Sequence, residues 1–166
     1  MLFVRKRGLI VFQSEVAALN DFKQKIVHIC PTEDSAFRKI YGRCFYFEKN
    51  KLDFENAKAN CKQKLLLYGQ GKLFEPDTLA ESNKLAKISD SIFPNGAWPY
   101  IGVNDMSQEG KYVFNTGLPI NYSPTWYGSS GSLGKEFNCV CMGHYSSYIG
   151  DWYDSACSTK RPSICE

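Results

Sequence analysis

Gly150-Asp151-Trp152-Tyr153-Asp154 is followed by Cys157 and then by Arg161-Pro162-Ser163-Ile164-Cys165-Glu166. Two short strands read out of this stretch, Asp151–Tyr153 and Ser163–Cys165, each rich in aromatic or branched residues and separated by turn chemistry. Upstream the same grammar repeats in Tyr100–Val103, Lys111–Phe114 and Cys139–Met142. Before Trp98 the pattern changes. Cys44-Phe45-Tyr46-Phe47 reads as a strand after Gly42. Asp53 is placed to cap a helix from about Phe54 to Lys64, with Phe54, Ala57 and Cys61 on one stripe. Glu75-Pro76-Asp77 opens a second helix through about Lys87, with Leu79, Leu85 and Ile88 expected to face inward. Two helices followed by a run of strands is an α+β arrangement.

The chain has 166 residues, 43% hydrophobic and 22% charged, which excludes a disordered polymer. Its net charge of +3 is too mild to point to nucleic acid. No apolar run approaches the roughly 18 residues that a membrane span requires. The stretch 112–134 carries no charged side chain but holds Tyr112, Phe114, Tyr122, Trp126 and Tyr127. A long irregular segment of this kind is either functional or folded over the core with its aromatics inward. The two histidines, His28 and His144, are far apart, and no metalloprotease, serine-hydrolase or nucleotide motif occurs, so the chain does not read as an enzyme.

There are seven cysteines: Cys30, Cys44, Cys61, Cys139, Cys141, Cys157 and Cys165. They form no CxxC pair, and so many scattered cysteines fit an oxidising compartment, with three disulfides and one thiol left over. Zinc has one foothold, Cys139-x-Cys141-x-x-His144, which needs a fourth ligand from Cys157 or Cys165 and matches no common finger spacing. At the start, Arg5-Lys6-Arg7 and the short apolar run Gly8–Phe12 fall short of a signal-peptide core, so the expectation is a sequence that begins downstream of a signal. Leu9, Phe12, Val16, Leu19 and Ile26 follow heptad steps, with Lys23 interrupting them. Residues 1–29 are therefore read as a helical, neck-like segment through which the chain could form homo-oligomers; a single helix on its own domain is the plainer alternative.

Tyr100-Ile101-Gly102-Val103-Asn104-Asp105, Glu109-Gly110, Asn138-Cys139-Val140-Cys141-Met142 and the closing stretch occur in one order. Together with Cys61 and Gly71-Lys72-Leu73-Phe74-Glu75-Pro76, they resemble the C-type lectin-like domain over residues 30–166, with Tyr100 standing for the Trp of that family's WIGL strand. The resemblance implies two helices packed on antiparallel sheets, a long irregular loop and disulfide staples. It pairs Cys61 with Cys165 and Cys139 with Cys157, and adds Cys30 with Cys44 as the extra bridge of the long form. The two short loops so closed are worth about 3 kcal/mol each and the long one somewhat under 5 kcal/mol by chain entropy. Cys141 is left as a buried thiol or an intermolecular bridge.

Sugar-binding members of that family hold calcium through a Glu-Pro-Asn or Gln-Pro-Asp loop and a Trp-Asn-Asp strand. Here the loop position reads Tyr127-Gly128-Ser129-Ser130-Gly131-Ser132, and Tyr153 replaces the strand Asn. Only Asp154 is clearly kept. One carboxylate is a poor attractor for an ion that takes six to eight oxygens, so calcium-dependent sugar binding is expected to be lost. A weak auxiliary calcium site is conceivable at Asp105 and Glu109, against the plainer reading of Asp105 capping a turn. Metal candidates are thus Asp105, Glu109 and, weakly, Asp154; no other cofactor is implied. Ligand-binding candidates are Trp126, Tyr127, Ser129, Ser130, Tyr153 and Asp154, with Asn121 as a further polar partner. Trp126 alternatively packs the loop base. Asn121-Tyr122-Ser123 is also a glycosylation sequon, followed by Pro124. The resemblance implies a secreted recognition module for glycans, as in innate defence; the alternative is a calcium-independent domain that binds a cell-surface protein.

Overall fold

The computed structural model describes residues 30–68 and 71–166. The heptad segment, the neck-like expectation for residues 1–29 and the oligomer expectation built on it lie outside the described residues.

Strands β1 (Phe37–Ile40) and β2 (Arg43–Leu52) form a hairpin in which Ile40 pairs with Arg43. The two-residue loop is Tyr41-Gly42, and both residues have positive φ, 51° and 79°. That backbone matches the twist of the flanking strands. β1 went unread in the sequence because its middle, Arg38-Lys39, is polar. Helix α1 (Phe54–Leu65) starts where Asp53 accepts the Asn56 N–H at 3.0 Å, and it buries Phe54, Ala57, Cys61 and Leu65. Helix α2 (Leu79–Asp90) is capped by Thr78, which accepts the Glu81 N–H at 3.1 Å, while Glu81 accepts the Asp77 N–H.

The inward face of α2 differs from expectation. Ser82, Leu85, Ala86 and Ser89 are buried, whereas Leu79 and Ile88 sit at its margins. The serines are tolerated because each has partners. Ser82 Oγ accepts the Trp152 Nε1–H at 3.2 Å and lies 3.5 Å from Met142 Sδ, and Ser89 Oγ donates to the Leu85 carbonyl.

The remaining strands are β3 (Tyr100–Asn104), β4 (Val113–Phe114), β5 (Cys139–Met142), β6 (Trp152–Ser155) and β7 (Arg161–Cys165). They complete one sheet in the order β1-β2-β7-β3-β5-β6, with β4 hung on β3. Its pairs are antiparallel except β3 with β7, so the sheet is mixed. Side chains alternate across it with period two. Phe45, Phe47, Ile101, Val140, Met142, Trp152 and Ile164 pack with Leu85 and Ala86 of α2. Tyr46, Tyr100, Cys139, Cys141 and Cys165 pack with Phe54, Ala57, Cys61 and Leu65 of α1. The helices therefore cover opposite faces.

Three disulfides join Cys30 to Cys44, Cys61 to Cys165 and Cys139 to Cys157. Cys141 is a buried free thiol on the α1 face. Gly102 is required by close approach: a Cβ there would lie 2.7 Å from the Leu73 carbonyl oxygen.

Candidate functional site

Strand β6 carries two different surfaces because its residues alternate. Trp152 and Asp154 face the α2 side; Tyr153 and Ser155 face the α1 side. The loop residues 125–127 run alongside β6 in extended form, with the Trp152 N–H donating to the Thr125 carbonyl and the Tyr127 N–H to the Trp152 carbonyl. The same alternation then separates Trp126 from Tyr127.

On the α2 side, Trp126 packs against Tyr112 with ring centroids 4.7 Å apart and meets Trp152 edge to face at 5.9 Å. Gly131 closes over it, where a Cβ would come within 2.8 Å of the indole. Trp126 thus serves as packing at the base of the loop. Asp154 is fully buried beside it. Its Oδ2 accepts the Gly131 N–H at 2.9 Å, the Tyr112 hydroxyl at 3.2 Å and the Leu133 N–H at 3.3 Å; its Oδ1 has no partner. Burial, then the charges of Asp105 and Asp154, push the Tyr112 phenol well above its ordinary range, which keeps it a neutral donor.

Asp105 is also buried, and its Oδ2 accepts the Gly110 N–H at 2.8 Å. Glu109 is exposed. Cys139 is consumed by its disulfide, so Cys139, Cys141 and His144 do not assemble a zinc site. Among the described residues no group of three or more His, Cys, Asp or Glu is placed to hold a metal ion. His144 is buried between Phe93 and Tyr145, and burial lowers its pKa against the opposing charge of Asp90, 3.9 Å away. Burial pushes the Cys141 thiol up to about 12, which makes it inert.

On the α1 side lies a basin of about 280 Å³ lined by Trp98, Tyr127, Tyr145, Tyr148, Tyr153 and Arg161. Trp98 is its hub, with ring centroids 5.2 Å from Tyr127, 5.5 Å from Tyr153 and 6.1 Å from Tyr148. Tyr127 and Tyr148 meet edge to face at 4.8 Å. Trp98 and Ser146 hold positive φ, 44° and 54°, uncommon for residues with side chains. The Arg161 guanidinium lies 5.5 Å from the Tyr153 ring centroid, and its Nε donates to Ser155 Oγ at 3.1 Å.

Of the ligand-binding candidates, the basin gathers Tyr127 and Tyr153. Ser129, Ser130 and Asn121 do not line it, and Trp126 and Asp154 belong to the opposite side. Trp98, Tyr145, Tyr148 and Arg161 were missed. The aromatic pair at 145 and 148, spaced by two serines in an otherwise polar connection, was the available signal.

A mixed sheet between two helices, three disulfides and a long loop laid over the β6 edge define a disulfide-stapled α+β domain. The Lectin C-type domain family model matches residues 50–166, and the chain belongs to that family, whose members are recognition modules and not enzymes. It is 31% identical to the tetranectin-like protein of Carcharhinus perezii over 77% of this chain and 72% of that protein. It is 30% identical to C-type lectin domain family 3 member A of Homo sapiens, again over 77% of this chain but 61% of that protein, so it spans less than two thirds of that relative. Among solved structures, the mouse scavenger receptor C-type lectin carbohydrate-recognition domain superposes with a TM-score of 0.65 at 24% identity, covering 82% of this chain and 94% of that one. A calcium-independent type II antifreeze protein superposes with a TM-score of 0.64 at 24% identity, covering 82% and 92%.

Proposed function

We propose that the chain is an extracellular recognition module of the carbohydrate-binding C-type lectin family that takes its ligand without calcium. The observation that carries this reading is the use of Asp154. Two backbone N–H groups and a phenol hydroxyl point at its Oδ2. Their positive ends occupy the approach to Oδ2 and leave only the buried Oδ1 for a cation. Calcium takes six to eight oxygens. Asp154 and Asp105 each offer one unpartnered oxygen, Oδ1, and the charge-free stretch 112–134 adds no carboxylate. These residues do not fit the ion. At Asp105 the Gly110 N–H supports the capped-turn reading over an auxiliary site.

Three disulfides support an oxidising, extracellular location. No helix among the described residues is long and apolar enough to cross a membrane. The same fold persists in a protein described as calcium-independent. The aromatic basin is the concave surface on which a ligand would rest. Its exposed Tyr127 also favours a second reading, a protein-binding surface, because Tyr and Trp are enriched at interface cores.

A glycan array with and without chelator, beside a calcium titration followed by thermal melting, tests the reading. Calcium should leave the melting curve in place, and glycan signals should survive chelation. Signals abolished by chelator would refute it. A blank array, with a protein partner recovered from cell surfaces, would favour the protein-binding form.

A further inference from the structure

We propose that the aromatic basin binds a sugar carrying a single carboxylate, a uronate or a sialic acid, with the ring laid against the tyrosines and the carboxylate on Arg161. The proposal rests on the calcium-free reading above and deepens it by naming the ligand class.

The basin holds two elements that point in opposite directions. Five aromatic rings around one hollow would by themselves suit an organic cation, since ring faces are negative. Arg161 reverses that preference. It lines the same hollow, and its guanidinium already lies against the Tyr153 ring. A ligand cation would meet this fixed positive charge at short range. Among the described residues no carboxylate lies within ion-pair distance of Arg161, in contrast to Arg43, Lys58 and Lys72, which have such partners. The bond from Nε to Ser155 Oγ anchors the side chain. An anchored guanidinium that lines a hollow is suited to a planar carboxylate, which it can take in a two-point grip.

Size and charge narrow the occupant. A volume of about 280 Å³ falls just below the range of small-molecule sites, roughly 300 to 1,000 Å³, so it suits one ring rather than a long polymer. A pyranose presents a C–H face to stack on aromatic rings and hydroxyls for the four phenols around it. A short acidic side chain would leave those ring faces uncovered. Arg161 is the single cation of the basin, and residues 84–166 carry 6 basic against 7 acidic side chains. That balance offers no extended basic field for a polysulfated chain. Asp154 lies on the opposite side of β6 from the basin, whereas Tyr127 and Tyr153, which stand at the loop and strand-Asn positions of the family's calcium motif, line it.

The test uses the full chain, in calcium and in chelator, and three probes: a glucuronate-terminated oligosaccharide, a sialyl oligosaccharide and a matched neutral oligosaccharide. At least one acidic probe should bind, with the neutral one weaker by tenfold or more. Arg161→Gln should reduce acidic binding at least tenfold, and Arg161→Lys should restore only part of it. Tyr127→Ala, at an exposed loop position, should weaken binding without moving the melting curve, and it carries the test if Arg161→Gln melts early. Equal binding of acidic and neutral probes, indifference to Arg161→Gln, or no binding of either acidic probe would each overturn the proposal. Binding that vanishes with chelator would refute the calcium-free reading itself. Binding that survives chelator but ignores the carboxylate would refute the ligand class alone.

Discussion

Asp154→Ala separates a structural carboxylate from a metal ligand. The substitution leaves the Gly131 N–H, the Leu133 N–H and the Tyr112 hydroxyl without their acceptor. A buried donor left unpaired costs about 1–3 kcal/mol. The Gly131 bond at 2.9 Å is the strongest of the three, and the Tyr112 and Leu133 bonds at 3.2 and 3.3 Å are longer. Their donors are only partly buried and can recover some hydration, so the expected loss is about 3–5 kcal/mol in total. In a domain of this size each kcal/mol moves the midpoint by about 2–4 °C, which predicts a drop of about 6–20 °C. Thermal melting should show that drop to the same extent in calcium and in chelator. Had Asp154 been a metal ligand, the charge would be uncompensated in chelator, and removing it would cost nothing there. A variant that melts with the parent in chelator and falls behind it only in calcium would refute the reasoning.

Three other expectations follow from buried groups. His144 is held neutral by burial, so below about pH 6.5 the unfolded chain binds a proton that the folded chain resists. Stability should fall as pH drops through the window between that value and the lowered folded one, then level off. His144→Phe should flatten this slope in melts run against pH, and a parallel slope in the variant would contradict the assignment. Cys141, with its thiol pushed up to about 12, should resist iodoacetamide in the native protein and react once denaturant is added, as read by mass; native labelling would count against burial. Gly102→Ala forces a Cβ within 2.7 Å of the Leu73 carbonyl oxygen, and it should destabilise by about 1–3 kcal/mol or more, measured by denaturant melts. An unchanged midpoint would mean that β3 can move away from Leu73 freely.

Much of the frame was legible because it is locally encoded. Asp53 announced α1 through a capping bond three residues away, and the alternation in Cys139–Met142 placed Cys139 and Cys141 on one face. β1 was not legible, since Arg38 and Lys39 mask its pairing, which depends on the turn at Tyr41-Gly42. The inward face of α2 was legible only in part, through Leu85 and Ile88, for a different reason. Ser82 is acceptable in the core only because the Trp152 indole reaches it from a distant strand. No local pattern carries that information.

By itself the sequence determined the inventory: the cysteines, the capped helices, the strands around Trp152, and a stretch 112–134 without a carboxylate. Tertiary structure decided how the inventory is used. It turned Trp126 and Asp154 to one side of β6 and Tyr127 and Tyr153 to the other, and brought Trp98, Tyr145, Tyr148 and Arg161 to join the second pair. Burial leaves a local periodic trace, because every turn of helix or pair of strand residues must face the core. The meeting of side chains from separate segments leaves none, because it is set by sheet order and by the path of a loop.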